Sequence, residues 1–334
     1  MASILTTLTT LITPNVITTL GKQFGLSDEL TRQGLALANA VLAGGMARQA
    51  ATPDGAAGLA TLIDGADTSV LSNLSGLLAG APAKSDLAAQ LYGSNLELVT
   101  GGVKKAAGVD IAPIMGLVAP VLMAVTKNVA AQQGVGADGL GKLLQGELRS
   151  LARSDPATAK VLKEVFKPLD AQDKVRAAYS DEEWTKLQHG PLNAATLIIL
   201  ADRSGRGGRR QETEAMQAAL ETAVAAAGPA ELISLLFRDG ITDDEVEELV
   251  KAFRKTDEAA MHSALLAPIG EAVAIARAKA SKSDAMAYQG LLVTVAQEVA
   301  GAAKEGGFLG IGGTNVSADE KAAIDALVTA VNAA

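Results

Sequence analysis

Apolar positions recur at helical spacing along almost the whole chain. Val246, Leu249, Val250 and Phe253 fall at i, i+3, i+4 and i+7, and Ile324, Leu327, Val328 and Val331 repeat that spacing. Each set therefore forms one stripe of a 3.6-residue helix with charged residues on the opposite face. Alternation of the strand type, bounded by hairpin signals, is absent from the text. Helix starts are written out as well. Ser180 with Glu183, Thr242 with Glu245 and Ser317 with Glu320 have the capping-box spacing, in which a hydroxyl and a carboxylate satisfy free amides reciprocally. The pattern predicts an all-α protein.

Two stretches test whether any of these helices belongs to a targeting or membrane segment. The first 21 residues carry no charged side chain, yet they are rich in threonine and broken by Pro14. With no basic region ahead of the apolar part they read as a pair of amphipathic helices. The most apolar run, IAPIMGLVAPVLMAV at 111–125, is short of the roughly 20 residues needed to span a bilayer. It reads as a buried helix, and no membrane span is expected.

Repetition organises the first part of the chain. GLATLIDG at 58–65 returns as GLGKLLQG at 139–146, displaced by 81 positions. Each copy follows a long apolar helix, around Val41 and Leu42 or Val121 and Leu122, and a loop, ATPDG or GVGADG. A shorter helix is expected to pack back after the loop. The second part carries a weaker echo: apolar helix, Gly-rich loop and polar helix start occur from Pro191 and again from Gly290. Two multihelical domains are expected, each an internally duplicated array of helical hairpins.

Charge places the boundary. Residues 1–150 hold 9 basic and 10 acidic side chains, leaving 20 and 27 for the remainder, so the parts carry −1 and −7 of the formal −8. Domains at 1–150 and 151–334 follow. A weakly charged first domain favours self-association through small-residue helix faces, whereas bulk affinity for nucleic acid requires a basic surface. With 49% apolar residues the chain is globular. The absence of cysteine removes disulfides, thiolate metal sites and thiol nucleophiles, and suits a reducing cytoplasm.

From Leu20 to Gly65 the text reads LGKQFGLSDELTRQGLALANAVLAGGMARQAATPDGAAGLATLIDG and continues to SVLSNLSGLLAG. With its helix end Leu42-Ala43-Gly44-Gly45, its loop Thr52-Pro53-Asp54-Gly55-Ala56 and the second copy GLGKLLQG, it resembles the YidB-like family of bacterial proteins of unknown function. The resemblance covers roughly residues 1–150. It implies a helical domain and brings no catalytic residues. The ending VAQEVAGAAKEGGFLGIGGTNVSADEKAAIDAL more loosely resembles TerB-like helical domains, whose inter-helix loop is acidic. Here that loop reads Gly-Gly-Thr-Asn, so no metal ligands carry over.

Candidate chemistry is sparse. Between Gly306 and Gly313 five of eight residues are glycine, but the lysine of a phosphate loop and the third glycine of a dinucleotide fingerprint are missing. The segment reads as a connector whose Phe308, Leu309 and Ile311 plug the core or meet a partner. Arg203, Arg206, Arg209 and Arg210 could grip phosphate; without neighbouring aromatics, and with Glu212 and Glu214 following, they read as a solvated loop or an intermolecular polar contact. The run Asp243, Asp244, Glu245, Glu247 and Glu248 reads as a helix first turn favoured by the dipole, not a calcium loop. His189, beside Gly190 and Pro191, reads as a turn residue and His262 as a half-exposed helix residue, with no metal spacing between them. No nucleophile elbow occurs. No catalytic, cofactor or metal residues are assigned. The expectation is a non-enzymatic cytoplasmic interaction or scaffold protein, forming homo-oligomers or binding a protein partner, with a TerB-like stress protein that binds a metal or an anionic ligand as the alternative.

Overall fold

The computed structural model describes residues 3–72, 74, 87–202, 206–253, 256–302 and 316–334; for Arg206 and Arg209 it describes the backbone alone. Among the described residues every regular element is helical, as the apolar spacing predicts. The chain separates into two units, Met1–Lys167 and Pro168–Ala334. The division falls inside a helix, beyond the composition shift near residue 150.

The first unit begins with α1 (Ile4–Leu11), α2 (Pro14–Phe24), α3 (Asp28–Gln49) and α4 (Pro53–Asp64). It continues with α5 (Leu87–Tyr92), α6 (Leu96–Ala107), α7 (Ala112–Gln133), α8 (Ala137–Ser154) and the opening of α9 (Pro156–Ala177). Helix succession repeats. In α2–α3–α4 and again in α6–α7–α8 a short helix ends at a left-handed glycine, Gly25 at φ +66° or Gly108 at φ +72°, before a helix of 22 residues and then a shorter one. Only glycine adopts that backbone without strain. Leu59 and Ile63 on α4 and Leu140 and Leu144 on α8, 81 positions apart, are buried in both copies.

The shorter helices do not simply fold back as expected. α8 lies against α3 and α4 of the first copy, and α4 also packs on α7, so the copies interlock. Gly141 makes the crossing possible: a Cβ there would stand 2.7 Å from the Ala50 carbonyl oxygen at the end of α3. Small residues on α3 are used internally. Gly45 leaves room for the Tyr92 ring, Gly44 for Phe166 and Gly34 for Ile114. Tyr92 also donates its buried hydroxyl to the Val41 carbonyl at 2.5 Å.

The apolar run at 111–125 extends as α7 to Gln133, which makes it long enough to cross a membrane. Within the unit 72% of its most apolar stretch is buried, since it faces α1, α3, α4 and α5.

In the second unit α10 (Asp181–Asp202) packs on α14 (Glu258–Lys279), α15 (Lys282–Ala302) and α16 (Ala318–Ala333), while α11 (Arg206–Ala226) packs on α15. The short α12 (Leu232–Phe237) and α13 (Asp243–Phe253) close the array. All three capping boxes form. The backbone amides of Ser180, Thr242 and Ser317 donate to Glu183, Glu245 and Glu320 at 2.6–2.8 Å, and the three hydroxyls accept the return bonds.

The turn expected at His189-Gly190-Pro191 is absent, because α10 runs straight through it. Proline lacks the N–H that would bond the Leu187 carbonyl four residues back. Tyr288 of α15, fully buried, donates its hydroxyl to that oxygen at 2.7 Å. Gly190 makes space for the ring, since a Cβ there would collide with the hydroxyl. Burial raises the Tyr288 pKa far above its usual value, so the donor keeps its proton.

Candidate functional site

Phe308, Leu309, Ile311 and Arg203, nominated from the sequence as contact residues, lie outside the described residues. The remaining arginines are not in a loop. Backbone from Arg206 onward is the first turn of α11, and Arg210, exposed, pairs with Glu214 at 2.8 Å one turn along. Arginine and glutamate are good helix formers, and their i,i+4 pairing supports the turn that the glycines weaken.

The acidic run opens α13, as read. Glu245 there has its pKa lowered, first by the Thr242 amide and then by the Thr242 hydroxyl. Among the described residues no group of three His, Asp or Glu side chains comes together in an arrangement able to hold a metal ion. His189 is exposed on α10.

Two features among the described residues have a chemistry of their own. The first is the outer face of α14. Only 33% of its most apolar stretch is buried, although its 21 residues from Ala259 are apolar enough to cross a membrane. Ala260, Ala264, Ala267, Glu271, Ala274 and Ala278 are exposed along it. Their alternating steps of four and three follow a 3.5-residue period, the seam of a paired helix. The one charge in the seam, Glu271, is neutralised by Lys186 at 3.1 Å.

The second is a cavity of about 480 Å³ in the first unit, walled by α1, α2, α3 and α8. Glu147 stands on the inner stripe of α8 with Leu140 and Leu144 and is only 7% exposed. Its Oε2 accepts the Ser3 hydroxyl at 2.7 Å and the Leu5 amide at 3.1 Å. The carboxylate thus holds the N-terminus of α1, where the helix dipole favours an anion. Asn39, 5% exposed, shares the wall, and its buried Oδ1 has no hydrogen-bond partner among the described residues. Arg32 and Asp155 line the same space. The Arg32 side chain is 54% exposed and, among the described residues, has one long ion pair, to Glu29 at 3.7 Å. Neither feature was singled out from the sequence. Glu147 left a readable signal, a carboxylate where the 3.6-residue period calls for an apolar side chain.

Comparison with known families bears on the first unit. Residues 6–129 match the family described as a bacterial protein of unknown function (DUF937). This is the YidB-like family. The match takes in α3 and most of α7, ending at Val129, and stops short of α8, which carries Glu147. The TerB-like resemblance of the ending is not confirmed. Neither the curated proteins nor the solved structures contain a match.

Proposed function

We propose that the chain is a non-enzymatic, cytoplasmic interaction protein that self-associates through the outer face of α14. The supporting observation is the exposed alanine seam, because alanines at a 3.5-residue period let two helices approach closely and interlock. A second copy suits this face better than a lipid surface does. Alanine contributes little to insertion, Glu271 interrupts the seam, and the overall charge of −8 opposes an anionic bilayer.

Size sets the strength. A 22-residue helix is about 33 Å long and presents a strip roughly 10 Å wide, which is less than half of the about 800 Å² per partner in a standard interface. Association through this face is therefore weak and concentration-dependent. The TerB-like alternative has no comparable observation behind it.

Light scattering over a wide concentration range tests the reading. Mass should rise toward a dimer or higher state, and Ala267→Glu, which puts a charge in mid-seam, should abolish the rise while the melting temperature stays unchanged. A strict monomer at the highest concentration overturns self-association. Oligomers unaffected by Ala267→Glu overturn the assignment to α14, as does flotation with vesicles in place of self-association.

A further inference from the structure

We infer that the cavity of the first unit binds a small zwitterion of the amino-acid or dipeptide class. Its about 480 Å³ lies within the roughly 300–1,000 Å³ range of small-molecule sites. That accommodates such a molecule together with water.

Charge of both signs meets in the wall. Arg32 supplies a guanidinium whose ion pair among the described residues, to Glu29, is long and solvent-exposed, which suits it to receive a carboxylate. Acceptors dominate the remainder. Both protein donors to Glu147 fall on Oε2, which leaves Oε1 as its remaining acceptor. Asp155 accepts the Thr158 amide through Oδ1 at 3.1 Å and retains Oδ2. An ammonium group matches this side of the cavity.

Asn39 stands in the same wall, its Oδ1 shut off from solvent and without a hydrogen-bond partner among the described residues. Ile12, Ile17 and Leu151 supply apolar wall for a small side chain. The roof is α1, held by Ser3 and Leu5 to Glu147, so the same carboxylate that faces the cavity also closes it.

Calorimetric titration and thermal melting of the full chain with the twenty free amino acids and with Ala-Ala test this, using putrescine as the amine-only control and propionate as the carboxylate-only control. At least one zwitterion should bind saturably and raise the melting temperature, while neither control does so at equal concentration. Arg32→Gln and Asp155→Asn should each weaken binding at least tenfold. Both are compatible with folding, since Arg32 is half exposed and asparagine caps α9 as well as aspartate does. Absence of binding by every zwitterion overturns the proposal. So does a control that binds equally well, or affinity that survives both substitutions.

Discussion

Removing one oxygen atom tests how α10 passes through Pro191. In Tyr288→Phe the Leu187 carbonyl loses its buried donor at 2.7 Å, and Pro191 has no N–H to take its place. An unsatisfied buried acceptor costs about 1–3 kcal/mol. Midway, at ~2 kcal/mol, the melting temperature of a unit of this size falls by about 4–8 °C. Urea unfolding followed by fluorescence reads the second unit selectively, because its Trp184 is the only tryptophan in the chain.

Two companion variants make the explanation specific. Pro191→Ala in the Tyr288→Phe background restores an N–H at the position that regularly bonds Leu187, and should recover part of the loss. Gly190→Ala drives a methyl group into the Tyr288 hydroxyl, an overpacking that costs about 1–3 kcal/mol. Combined with Tyr288→Phe it should cost clearly less than the sum, since the colliding oxygen is gone. A Tyr288→Phe cost under about 0.5 kcal/mol, or strict additivity with Gly190→Ala, would refute this account against the usual net worth of a hydrogen bond.

The interlocked helices of the first unit predict that Gly141→Ala, whose Cβ would meet the Ala50 carbonyl at 2.7 Å, destabilises by about 1–3 kcal/mol in calorimetry; an unchanged melting curve would count against the α8–α3 crossing. Glu147→Ala removes both bonds that hold the start of α1, each of a charge-assisted type worth about 1.5–3 kcal/mol, so hydrogen exchange across residues 5–11 should accelerate by roughly tenfold or more while α10 is unaffected. Acid should weaken the second unit in a defined window. The Glu183 pKa is lowered first by the Lys279 ammonium and then by the Ser180 amide, and that of Glu245 by Thr242. Both groups bind their proton less readily folded than unfolded, so their stabilisation is present above the ordinary carboxylate value and lost as pH falls through the depressed folded value. Glu183→Gln and Glu245→Gln should flatten that acid limb in urea titrations between neutral pH and pH of about 3.

What the sequence determined by itself was local. Apolar spacing set the helical class, the capping boxes at Ser180, Thr242 and Ser317 set three helix starts to the residue, and the repeated GLATLIDG and GLGKLLQG text marked equivalent buried positions on α4 and α8. These follow from interactions within a few residues, which any stretch of chain carries with it. The tertiary structure decided whatever depended on a distant donor or neighbour. His189-Gly190-Pro191 carries the chemistry of a turn, and it is helix because Tyr288, about a hundred residues on, satisfies the carbonyl that proline abandons. Small residues on α3 could have faced another molecule; Tyr92, Phe166 and Ile114 fill them. Those on α14 read no differently as text, yet they are exposed among the described residues of the unit. Glu147 shows the same division: its place on an apolar stripe was legible, but only the arrival of Ser3 and Leu5 from the other end of the unit makes it the anchor of α1 and part of a cavity wall.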